Sequence, residues 1–80
     1  MKEELIFYTT LGCHLCDQAR EVYQSTLNPD YFHVQEVEIA EQDTLIERYG
    51  TRIPVLKNPL NHQEIEWPFD PDSLMQFLSD

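Results

Sequence analysis

Thr9-Thr10-Leu11-Gly12-Cys13-His14-Leu15-Cys16-Asp17-Gln18-Ala19 carries the chain from an apolar stretch into a helical pattern. It holds both cysteines of the protein, three positions apart. Just upstream, Leu5-Ile6-Phe7-Tyr8 is a continuous apolar run, which suits a strand covered on both faces. Gly12 breaks that pattern. Downstream, Leu15, Ala19, Val22, Tyr23 and Thr26 recur at helical spacing, so a helix is predicted from residue 13 or 14 to about residue 27. Asp17 falls in its first turn, where a carboxylate complements the helix dipole. Asn28-Pro29-Asp30 closes it.

The rest of the chain extends this strand-to-helix unit. Residues 31–39 read as a second strand, with Val37 and Ile39 on one face and Glu36 and Glu38 on the other. A helix of about a dozen residues between two strands makes them parallel, joined by a right-handed crossover. A short helix follows within residues 41–49, with Leu45, Ile46 and Tyr49 facing inward and Gly50 as a left-handed stop. Residues 53–57 form a third strand with Pro54 near its start, residues 58–61 a turn, and residues 62–67 a fourth strand, giving a hairpin. Asp70 caps a last helix and Pro71 occupies its first position; Leu74, Phe77 and Leu78 are its buried stripe. The expected architecture is a single α/β domain over residues 1–80, in the order βαβαββα. It places one four-stranded mixed sheet between three helices distributed over both faces.

Eighty residues bury roughly 60% of the surface of the unfolded chain. A hydrophobic fraction of 41% is enough for a real core. Fifteen acids against five bases leave a net charge of −10. Phosphate binding needs clustered Lys and Arg, so nucleic acid is excluded as a partner, and an anionic membrane surface with it. The acids keep the protein soluble or attract a basic partner protein. The first apolar run is too short for a signal peptide or a membrane span, so a cytoplasmic address is expected.

Two cysteines three apart can staple, bind metal, lie inert in the core or exchange electrons. A Cys13–Cys16 bridge closes a very small loop and constrains the unfolded chain little. Structural zinc needs four ligands, and His14, His33 and His62 are scattered singly; no metal is expected. Buried, inert thiols are the plain alternative. The electron-exchange reading follows from position. A thiol attacks as thiolate, and a helix N-terminus stabilises that form through its dipole and free N–H groups. Cys13 is then the nucleophile, and Cys16, one turn on, resolves the mixed disulfide.

Cys13-His14-Leu15-Cys16 after the first strand, Arg52-Ile53-Pro54-Val55-Leu56 before the hairpin, and Trp67-Pro68-Phe69 before a closing helix resemble the glutaredoxins of the thioredoxin fold. In detail the chain is similar to short bacterial glutaredoxin-like proteins with C-x-x-C, R-x-P-V-L and W-P-F in this order. The resemblance implies a thioredoxin/glutaredoxin-like fold and a monomeric thiol–disulfide oxidoreductase acting on a disulfide-containing protein or a small thiol. No resident cofactor is implied, and glutathione is a candidate co-substrate. Pro54 is implied to be a cis-proline beside the cysteines, and the backbone of Ile53 to pair with an extended substrate.

Three positions depart from the glutathione-using members. Thr9-Thr10-Leu11 stands where a basic residue is usual. Leu15 replaces an aromatic residue. Trp67-Pro68-Phe69-Asp70 replaces a glycine-rich turn. Arg52 would offer a partner for a carboxylate, and Asp70 or Asp72 a partner for an amine. His14, when protonated, would favour the Cys13 thiolate. Trp67 and Phe69 are expected in the core. The competing functions are a non-catalytic redox-sensing or interaction domain and an iron–sulfur carrier bridging two chains through Cys13.

Overall fold

The computed structural model describes residues 2–79. β1 (Glu3–Thr9) is the central ribbon, and its alternation sorts the core. Leu5 and Phe7 point to one face and are fully buried there; Tyr8 points to the other. β1 pairs in parallel with β2 (Phe32–Glu38), from Glu3 opposite Phe32 to Thr9 opposite Glu38. On its other side it pairs antiparallel with β3 (Val55–Asn58), Phe7 opposite Leu56 and Tyr8 opposite Val55. β4 (Gln63–Glu66) completes a four-stranded sheet in the order β2-β1-β3-β4. The expected βαβαββα order and mixed sheet are what the structure shows.

α1 (His14–Thr26) and α3 (Pro71–Ser79) cover the face of Leu5, Phe7 and Leu56. Their contribution is Cys16, Ala19, Tyr23, Leu74 and Phe77, joined by Phe69. α2 (Asp43–Tyr49) lies against the opposite face, where Tyr8, Ile39, Tyr49 and Val55 form a second, smaller cluster. The Tyr8 and Tyr49 rings stack there at 4.0 Å. Each fully buried large side chain is worth about 1.5–3 kcal/mol, so the larger cluster dominates stability. Among the described residues, no helix is long and apolar enough to cross a membrane.

Several local expectations shift. Leu15, the first of the apolar positions at helical spacing in α1, is 49% exposed, and Cys16 takes the inward position at 1%. The buried stripe is Cys16, Ala19 and Tyr23, and a residue one position off is rotated by about 100°. Ile46 is turned out of α2 in the same way, at 44% exposure, while Leu45 and Tyr49 face inward. Gly50 is not left-handed. It continues right-handed at φ −54°, ψ −35°, and its need is spatial: a Cβ there would lie 2.5 Å from the Ile46 carbonyl oxygen. Ile39 belongs to a 3₁₀ turn, Ile39–Glu41, not to the second strand, and β3 and β4 are shorter than expected. The last helix starts as read. Ser73 donates its N–H to Asp70 Oδ1 at 2.8 Å, and Asp70 donates its own to Ser73 Oγ at 2.9 Å. Phe69 is buried and Trp67 is half-buried against the same core, ring to ring at 5.1 Å.

Candidate functional site

The topology gathers one end of the sheet. β1 and β2 finish there in parallel, β3 starts there, and β4 finishes there opposite it. The loop from Thr10 to Cys13, the Ile53-Pro54 peptide, Trp67 and the start of α3 therefore share this end.

Cys13 is the N-cap of α1. Its backbone is extended, at φ −87° and ψ 103°, while its carbonyl already accepts the Asp17 N–H at 3.2 Å. Its Sγ accepts the N–H of Cys16 at 3.1 Å, so the sulfur lies over the free N–H groups of the first turn. Cys13 and Cys16 are joined as a disulfide, with Cα atoms 5.2 Å apart. The two sulfurs are not equivalent: Cys13 is half-buried, and Cys16 is part of the core. Gly12 sets the approach to the cap at φ +79°, in the left-handed region that favours glycine.

Glu38 braces the loop from the neighbouring strand. Its carboxylate accepts the Ala40 N–H at 3.1 Å and the Leu11 N–H at 2.9 Å, and it also bonds the Thr10 side chain. These donors, the Ala40 amide foremost, hold the carboxyl below its usual range. Reading the sequence put Glu38 on a strand face and gave it no role at the site. The signal was available: in a parallel βαβ unit the end of the second strand lies beside the end of the first, where the cysteine loop begins.

The Ile53–Pro54 peptide is cis, as expected, and the Trp67–Pro68 peptide is cis as well. The Pro54 carbonyl accepts the Trp67 N–H at 3.2 Å. Ile53 gives its own N–H to the Tyr49 carbonyl at 3.0 Å, so its carbonyl is the group it can offer an extended substrate. His14 opens α1, exposed, and its side chain makes no hydrogen bond or ion pair among the described residues. Arg52 donates from Nε to Glu66 at 2.5 Å and from a terminal nitrogen to Glu64 at 2.6 Å, and lies over the Tyr49 ring. Burial pushes the Glu64 carboxyl up, but hydrogen bonds from Tyr49 and Arg52 outweigh it and hold it low. Asp70 is engaged in its cap, and the Ser73 N–H lowers its carboxyl. Among the described residues, no group of three or more His, Cys, Asp or Glu could hold a metal ion.

The arrangement can accept a nucleophilic attack or make one. A sulfur at a helix start is favoured as thiolate, and its partner stands behind it within bonding distance. The crystal structure of protein XcR50 from X. campestris is 37% identical, with a TM-score of 0.79, over 94% of this chain and 95% of that one. The solution structure of XcR50 gives 35% identity and a TM-score of 0.74, over 94% and 91%. Protein Ne2328 from Nitrosomonas europaea shares the fold at 23% identity and a TM-score of 0.70, over 96% and 92%. No curated protein matches the chain. The glutaredoxin-like domain (DUF836) model matches residues 4–79, so with its C-x-x-C on the first helix of a thioredoxin-like fold the chain belongs to that glutaredoxin-like family.

Proposed function

We propose that the protein is a thiol–disulfide oxidoreductase that reduces substrate disulfides through Cys13 and Cys16. The observation that carries this reading is the unequal burial of two bonded sulfurs at a helix N-terminus. Cys13 is partly exposed and sits where thiolate is stabilised; Cys16 is buried beneath the start of the helix.

The cycle starts from the dithiol. The Cys13 thiolate forms a bond to one sulfur of the substrate disulfide, the substrate S–S bond breaks, and the departing thiolate takes a proton from water. The Cys16 thiol loses its proton and attacks Cys13, closing the intramolecular bridge and releasing the second substrate thiolate. Two electrons pass to the substrate, and the bridge is the oxidised product. An external thiol reductant reopens it, which suits a reducing compartment such as the cytoplasm. One chain supplies both sulfurs, so the cycle needs no second copy.

The test is turnover of a model disulfide with a thiol reductant, followed by trapping. Wild type is expected to turn over and Cys13→Ser to fall to background. Cys16→Ser is expected to accumulate a mixed disulfide visible by mass spectrometry. Cys13→Ser with wild-type activity, or a Cys16→Ser protein that never traps substrate, contradicts the proposal.

A further inference from the structure

Leu11 and Leu15 lie two residues on either side of Cys13, and both face water. Leu11 is 92% exposed and Leu15 49%. Nothing in the fold explains them: Leu11 lies in the turn before the cap, and Leu15 is rotated off the buried stripe of α1. Two large exposed apolar side chains thus flank the reactive cysteine along the chain, a collar in which an apolar neighbour of a substrate cysteine can be covered.

Acidic residues outnumber basic ones at this end. Glu38, Glu66, Asp70 and Asp72 all belong to this end of the sheet. The arginine at this end, Arg52, already has its fork occupied by Glu64 and Glu66. Arg20, farther along α1, is tied to Asp17 and Glu36. Of the other cations, Lys2 precedes β1 at the opposite end, Lys57 lies within β3, and Arg48 is in the last turn of α2, four residues before Arg52. No unengaged arginine or lysine stands in the Thr10–Cys16 segment to hold a carboxylate. Glutathione carries two carboxylates and one ammonium, so this surroundings repels it more than it attracts it. A cationic chain meets the opposite situation.

We propose that the site takes a polypeptide disulfide whose attacked cysteine is flanked by apolar and cationic residues, in preference to glutathione disulfide. The proposal rests on the oxidoreductase reading above. The apolar neighbour packs on Leu11 and Leu15, the cationic residues meet the acidic rim, and the Ile53 carbonyl accepts a backbone N–H of the extended segment. In the step itself, Cys13 forms a bond to the peptide cysteine and the peptide's original S–S bond breaks. The expelled thiolate is protonated by water.

Four disulfides offered to the Cys16→Ser protein test this: bis(2-hydroxyethyl) disulfide, oxidised glutathione, and two synthetic peptides. Each peptide carries one cysteine as its mixed disulfide with hydroxyethanethiol, flanked by Leu and Lys in one and by Ser and Glu in the other. Rates of mixed-disulfide formation are read by mass spectrometry. At low ionic strength the Leu/Lys peptide is expected to react about 10-fold faster or more than oxidised glutathione and the Ser/Glu peptide, within the range of electrostatic steering. Raising salt to 0.5 M should shrink that advantage, since screening then acts within about 4–5 Å. Leu11→Ser should lower the ratio of the Leu/Lys peptide rate to the small neutral disulfide rate several-fold. Glutathione disulfide or the Ser/Glu peptide reacting as fast as the Leu/Lys peptide overturns the substrate class while leaving the oxidoreductase standing. All four probes reacting no faster than with free mercaptoethanol overturns both.

Discussion

Cys16 shows how one residue serves two ends. It belongs to the same buried cluster as Phe7, Ala19 and Leu74, and its backbone N–H caps the Cys13 sulfur. Arg20, one turn on from Cys16, is the comparable anchor of α1. Its Nε and a terminal nitrogen reach both Glu36 oxygens at 2.7 and 2.8 Å, the Tyr23 hydroxyl donates to Glu36 Oε2 at 2.8 Å, and its guanidinium lies over the Phe7 ring. The Arg20 hydrogen bond holds Glu36 below its ordinary value of 4.5. A depressed carboxyl contributes stability that is complete above 4.5 and is lost as pH falls through the lower folded value. Arg20→Met is therefore expected to cost about 1 kcal/mol at pH 7, the scale of a partly exposed charged hydrogen bond. The gap to wild type should close towards pH 3. Urea unfolding of both proteins at the two pH values checks it; a gap unchanged at pH 3 contradicts the assigned role of Glu36.

At the scale of elements, the sequence was most legible where a local rule acts alone. The Asp70-Pro71 opening of α3 was readable because capping and proline at the first helical position need no tertiary partner. The strand-to-helix switch at Gly12 was readable for the same reason. Leu15 and Ile46 turn outward because each has an apolar neighbour on the adjacent helical position, and composition alone does not choose which one turns inward. Gly50 was read as a left-handed stop, but the constraint there is the Ile46 carbonyl, which also accepts the Gly50 N–H at 2.8 Å. Gly50→Ala pushes a methyl into that backbone oxygen and should destabilise by about 1–3 kcal/mol. A urea midpoint within error of wild type contradicts this account of the α2 terminus.

For the whole molecule, the sheet divides the interior into two unequal clusters, and the site sits at the sheet end where the larger one reaches the surface. Ile53 packs against both. A domain of this length is held by roughly 4–12 kcal/mol. Leu74 is fully buried in the larger cluster, and Leu74→Ala should cost about 2–5 kcal/mol, a large share of the total. Thermal unfolding by circular dichroism measures it; a loss below about 1 kcal/mol contradicts a single cooperative core between α1, α3 and the sheet. The C-x-x-C pair at the start of α1 and the cis peptide before Pro54 were legible because their spacing and chemistry are local. The bracing by Glu38 and the exposure of Leu11 were not, because they depend on where the parallel register places the end of β2 and on which loop side chains stay uncovered.

The central claim is that the position of Cys13 makes its sulfur a thiolate near neutral pH. The most direct measurement is the rate of alkylation of Cys13 in the reduced protein as a function of pH, followed by mass spectrometry so that Cys16 is read separately. A midpoint between about 3.5 and 7.5 is the result expected of a sulfur capping a helix N-terminus. A midpoint at about 8.5 or above, the value of an ordinary thiol, would contradict it.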